Sequence, residues 1–85
     1  MTTKAEVKDR LRGLINEIGK VPMERISDTA TVDQDLQMSS LGFVELQVAL
    51  EDVYHIQIDP VHVVELNNFG AIADYVYQCA MSAQQ

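Results

Sequence analysis

Eighty-five residues carry a net charge of −7 and a single cysteine, Cys79, which leaves room for one small domain (1–85) and none for an internal disulfide. The charge is uneven: all six Lys and Arg lie in the first 25 positions with four acids (net +2), and Ile26–Gln85 holds nine acids and no Lys or Arg (net −9). Such a surface repels nucleic acid and anionic lipid and attracts basic patches on other proteins. No apolar run approaches the roughly 20 residues of a membrane span, and Met1–Arg10 has no stretch of signal-peptide type. A reducing, cytoplasmic compartment and a monomer are expected. A chain burying only about 60% of its unfolded surface is also a poor host for a catalytic pocket, so binding or carrying is the better starting expectation.

The first predicted helix covers residues 3–18, where Val7, Leu11, Leu14, Ile15 and Ile18 share one face. Thr3-x-x-Glu6 reads as a capping box and Gly19 followed by Lys20 as the stop. The charged residues fall on the opposite, solvated face, and only a structural role is expected of this helix. From Lys20 to Ser39 the pattern breaks into isolated apolar residues among Pro, Ser, Thr and Asp. So long an irregular segment has to be pinned to the core. Val21, Met23, Ile26 and Leu36 are the expected anchors, with a helical turn around Met23–Ile26.

The second helix, about Ser40 to Tyr54, has two apolar faces. Phe43, Leu46, Ala49, Leu50, Val53 and Tyr54 form the broad core side. Opposite them lie Leu41, Val44 and Val48, flanked by Glu45, Glu51 and Asp52. An exposed apolar strip rimmed by acids suits a partner that presents apolar side chains ringed by Arg or Lys. The following Ile56-Gln57-Ile58 alternates like a strand but has nothing to pair with, so it is read as a loop plugging both isoleucines into the core. Asp59 as N-cap and Pro60 as first residue open a short third helix to about Leu66. Asn67-Asn68 ends it and caps a fourth, whose Phe69, Ile72, Ala73, Val76 and Ala80 face inward. Ser82–Gln85 should fray. The expected fold is all-α: a small four-helix bundle of three main helices and a short third, with a long first loop.

Ser39 and Ser40 stand where the second helix begins, and either can serve as its N-cap. Nucleophilic catalysis would need an activating base and an oxyanion hole, and the chain offers only His55 and His62, with no glycine elbow around the serines. That leaves a serine modified by another enzyme. A phosphate there would be stabilised by the free N–H groups and positive dipole end by about 0.3–1 kcal/mol.

The run Asp35-Leu36-Gln37-Met38-Ser39-Ser40-Leu41, continued by Val44-Glu45-Leu46, Ala49-Leu50-Glu51 and Ile56-x-Ile58, resembles the acyl and peptidyl carrier proteins of fatty acid, polyketide and nonribosomal peptide synthesis over nearly the whole chain. The resemblance implies a non-enzyme with 4′-phosphopantetheine, donated by coenzyme A, esterified to Ser40 by a magnesium-dependent phosphopantetheinyl transferase. It also implies a thioester-bound acyl or aminoacyl cargo. Loading enzymes (adenylating or acyltransferase) and condensing or modifying enzymes would dock on Leu41, Val44, Glu45, Val48, Glu51 and Asp52. Ser39 stands where acyl carriers mostly have Asp, Val53 and Gln57 where fatty-acid carriers tend to have acids, and Phe43 is bulkier than usual. These departures point to a free-standing carrier in specialised polyketide or nonribosomal peptide-type biosynthesis. The competing readings are an acidic interaction module that is never modified and a small Ser hydrolase.

The remaining chemistry-bearing residues invite plainer assignments. His55 and His62 lack a third ligand, so no metal site and no catalytic residue are expected, and Cys79 reads as a partly buried side chain. Tyr54 and Phe69 are expected in the core, and Tyr54, Phe69, Tyr75 and Tyr77 are not taken for a ligand box. Met38 either braces the loop before the serines or touches the bound arm.

Overall fold

The computed structural model describes residues 3–83, leaving aside the side chains of Ser40 and Ala83. Four helices follow in order, α1 (Lys4–Gly19), α2 (Ser40–Tyr54), α3 (Pro60–Leu66) and α4 (Phe69–Ala83). There is no strand among the described residues. The chain forms the all-α bundle its periodicity predicts. α1 runs between α4 and α2, with α3 laid against α4 and the edge of α2. The shared core is Val7, Leu11 and Ile15 of α1, Leu46 and Leu50 of α2, Val63 of α3, and Phe69, Ile72, Ala73 and Val76 of α4. Each large side chain fully withdrawn from water here contributes about 1.5–3 kcal/mol.

The capping box forms as expected: Glu6 N–H donates to Thr3 Oγ1 at 3.2 Å and Thr3 N–H to Glu6 Oε2 at 3.4 Å. The other end of α1 stops at the expected Gly19-Lys20 pair, with the two roles divided. Gly19 is the last helical residue, and the left-handed C-cap is Lys20 at φ 58°. Gly19 serves space instead, because a Cβ there would lie 3.1 Å from Met38 Cγ and 3.2 Å from Val21 Cγ2. Gln37, His55 and Asn67 likewise end their helical segments at positive φ.

Val21, Ile26 and Leu36 are buried anchors of the long segment, but Met23 is half exposed and anchors nothing. It opens the single 3₁₀ turn Met23–Arg25, where it points away from the core, and Ala30 and Val32 take its place inside. A wider turn, Val32–Leu36, follows: Leu36 and Gln37 N–H donate five residues back, to Thr31 and Val32 carbonyls.

The polar face of α1 is not simply solvated. Arg12 Nε donates to the Ile26 carbonyl at 2.8 Å, its other nitrogens reach Asp9 and Asp28, and its guanidinium sits 5.0 Å from the Phe69 ring centre. Lys8 pairs with Asp28, Asn16 donates to the Val21 carbonyl, and Lys4 pairs with Asp74. α4 holds the same segment from the other side, through Phe69 N–H to Ala30 O and Gly70 N–H to Asp28 O. A Cβ on Gly70 would come within 2.8 Å of that Asp28 oxygen, so the approach requires glycine.

On α2 the core side is narrower than the helical wheel gives. Leu46 and Leu50 are buried, Phe43, Ala49 and Tyr54 are half-buried, and Val53 is exposed at 40%, one residue before the end of the helix. Burial raises the Tyr54 phenol above its ordinary value, with the Arg10 guanidinium pulling the other way. Ile56 and Ile58 plug into the core as expected. Asp59 caps α3 by accepting from Val61 N–H, and Asn68 caps α4 by accepting from Ala71 N–H. Ser82 stays within α4 instead of fraying, and Gln84 and Gln85 lie outside the described residues.

Candidate functional site

The start of α2 is built by the residues around it. Ser39 is extended (φ −74°, ψ 166°) and its Oγ accepts from Gly42 N–H at 3.1 Å, so Ser39 is the N-cap and Ser40 the first helical residue. Just before them Met38 lies between two glycines. Cβ atoms built on Gly19 and Gly42 would stand 3.1 Å from its Cγ and 3.3 Å from its Cε. Met38 therefore braces the loop, filling a slot that both glycines leave open.

From that end the outer face of α2 runs as a bare apolar strip, with Leu41 69%, Val44 50% and Val48 59% exposed. Glu45 and Asp52 flank it, exposed and in no ion pair among the described residues. Glu51 differs from its expected place on the outer rim. It is half-buried, and its carboxylate accepts from Ile58 N–H at 2.9 Å and from Gln47 Nε2 at 3.4 Å. Gln47 Nε2 also donates to the Ile58 carbonyl at 3.1 Å. The one-turn spacing of Gln47 and Glu51 aims both at the returning loop, and together they clasp it.

Beside the helix start, and sharing Val44 with the strip, an open groove of about 1020 Å³ lies between α2, α3 and the long segment. Met38, Phe43, Val44, Val61 and Val64 give it apolar walls, and Asp33, Glu65 and Asn67 part of its polar margin. Asn67 Oδ1 accepts from both Val32 and Asp33 N–H, tying the end of α3 to the long segment and fixing the groove's width. Sequence reasoning missed Val61 and Val64. Their signal was the i, i+3 apolar pair on α3 that does not share the face of buried Val63.

His55 and His62 are both exposed, His62 edge-on to the Tyr75 ring, whose hydroxyl accepts from Asp59 N–H. No group of three metal-ligating side chains occurs among the described residues. Cys79 is half-buried.

An all-α bundle with a serine pair opening an acid-flanked helix beside an apolar groove defines a carrier-type fold. Residues 9–76 match the family described as a phosphopantetheine attachment site. The chain is 30% identical over 81 residues to an acyl carrier protein of Acidothermus cellulolyticus, covering 95% of this chain and 96% of that one. It is 27% identical to one of Thermobifida fusca (87% and 94% covered) and 30% identical to one of Buchnera aphidicola (82% and 89%). The chain belongs to the phosphopantetheine-binding acyl carrier family.

As a member it is a carrier and not a catalyst, its cofactor is covalently attached 4′-phosphopantetheine, and it works with a phosphopantetheinyl transferase and biosynthetic enzymes. The unmodified interaction module and the Ser hydrolase are thereby set aside. No helix among the described residues is long and apolar enough to cross a membrane.

Proposed function

We propose that Ser40 carries the arm and that residues 1–85 act as one carrier domain in the cytoplasm, presenting acyl or aminoacyl thioesters to the enzymes of a polyketide or nonribosomal peptide-type pathway. The observation that carries this reading is the position of Ser40. It opens α2 directly after the cap, with the bare strip of Leu41, Val44 and Val48 behind it and the groove beside it.

The residues fit the group. A phosphodiester at a helix start meets the free N–H groups and positive dipole end. The groove has room for an extended chain, and its Met38, Phe43 and Val walls suit an apolar cargo. When bound, the arm supplies a terminal thiol that holds the cargo as a thioester. The protein itself fixes the anchor through Ser39, Met38 and Gly42 and offers the strip, with Glu45 and Asp52, to partners whose surfaces carry Arg or Lys. Glu51 has less to offer such a partner than Glu45 and Asp52, because its carboxylate is already engaged.

Ser39, Val53, Gln57 and Phe43, where fatty-acid carriers differ, support the specialised pathway over primary fatty acid synthesis. Ser39 also bears on the transferase. Its cap is made by a neutral hydroxyl, so the helix start is formed without a carboxylate at that position.

Intact mass after incubation with coenzyme A, magnesium and a broad-specificity transferase tests the anchor. The wild type gains one phosphopantetheine and Ser40→Ala none. No gain by the wild type across several transferases would refute the assignment, and a gain by Ser40→Ala would place the arm elsewhere, Ser39 first.

A further inference from the structure

The seam between α2 and α3 contains two spaces. The outer is the open groove; the inner is a narrower void of about 10 Å³ lined by Leu46, Gln47, Leu50, Ile58 and Val63. Phe43 and Pro60 line both. The void is about the size of one water. Among its lining side chains only Gln47 has a polar head, and that amide is already given to the Ile58 carbonyl and Glu51.

Two groups therefore stand between the groove and the core, and they differ in kind. Pro60 is fixed in the first turn of α3 by its ring and by the Asp59 cap. Phe43 is a half-buried side chain turning on two bonds. We propose that Phe43 is the specificity-determining residue of this seam: its ring shuts the groove off from the core, so that the thioester-linked cargo is held in the outer groove and not between the helices. This rests on Ser40 as the anchor.

The surroundings make the shutter consequential. The clasp of Gln47 and Glu51 on Ile58, and the hold of Asn67 on Val32 and Asp33, fix the walls on either side of it. Walls tied in this way do not fully collapse when a side chain is removed, so a smaller residue at 43 leaves space. Groove and void then become one cavity reaching Leu46, Leu50 and Val63. A cargo limited to the groove stays in reach of water whatever its length, whereas one that enters the core gains protection with each added methylene.

Two measurements test this, the first without any arm. Xenon enters engineered apolar cavities, and methyl NMR resonances of Leu46, Leu50 and Val63 report it. Xenon should leave them unmoved in the wild type, shift them in Phe43→Ala and shift them less in Phe43→Leu, which keeps most of the volume and carries the test if the alanine variant does not fold. Wild-type shifts equal to those of the variants, or none in a variant folded by circular dichroism, would overturn the proposal.

In the second, protein loaded with short, medium and long straight-chain acyl groups is cleaved by hydroxylamine. Wild-type rates should be nearly independent of chain length, and those of the variants should fall several-fold for the longest cargo. Wild-type rates that fall with length would also overturn it. Should the wild type take no arm while the xenon contrast holds, the Ser40 reading fails and the shutter stands.

Discussion

α1 and α2 are nearly equal in length and both amphipathic, yet they differ in what they leave unused. α1 buries Val7, Leu11 and Ile15 and then commits its polar face as well, with Lys4, Lys8, Arg12 and Asn16 each holding a carboxylate or a backbone carbonyl of another segment. α2 buries Leu46 and Leu50 and leaves Leu41, Val44, Val48, Glu45 and Asp52 with nothing against them. The uneven charge of the chain acquires a meaning here. Several of the basic residues of the first 25 pair within the molecule, while Glu45 and Asp52 of α2 are exposed and in no ion pair among the described residues. The proposed docking face of α2 is thus marked by side chains that the fold leaves exposed, and the scaffold role of α1 by polar groups that the fold engages.

Breaking the scaffold side should have the largest effect on stability. Arg12→Ala removes the donor to the Ile26 carbonyl, two links to acids and the contact over Phe69. It should cost about 2–3 kcal/mol and lower the thermal midpoint by about 4–8 °C per kcal/mol for a domain of this size. Anchor modification at a temperature where the variant is folded should persist. A loss below about 0.5 kcal/mol would mean that the polar face of α1 is solvated after all.

The acids of α2 divide across the same comparison. Glu51→Ala leaves Ile58 N–H without its acceptor and should cost about 1–1.5 kcal/mol in urea unfolding. Glu45→Ala should fall within about 0.5 kcal/mol of wild type and instead weaken partner binding, an effect that shrinks with added salt. Equal stability losses in the two variants would erase the distinction between an acid serving the fold and one serving the surface.

The smallest effect on stability is expected at Val48, 59% exposed at the middle of the strip. Val48→Ser should shift the unfolding midpoint by less than about 0.5 kcal/mol and reduce kcat/KM of transferase or loading enzyme several-fold. Unchanged partner kinetics in a Val44→Ser/Val48→Ser double variant would remove the strip from docking.

Much of this was legible because it is local. The capping box at Thr3 and Glu6, the Asp59-Pro60 opening of α3, the inward face of α4 and the bare strip of α2 all follow from spacing of a few residues on one helix. A serine cap at the start of α2 was legible for the same reason, and the structure assigns it to Ser39 with Ser40 as the first helical residue.

What the chain alone determined was therefore the helices, their faces and the family; what only the tertiary structure decided was where polar groups are spent across long separations. Arg12 on Ile26, Asn67 on Val32 and Asp33, Glu51 on Ile58 and Met38 between Gly19 and Gly42 join residues whose periodicity says nothing of one another. The same holds for Phe43. Its hydrophobicity assigns it to the core face of α2, but only the approach of α3 puts its ring at a boundary between groove and core. Periodicity specifies which side of a helix is dry, and packing specifies what it is dry against.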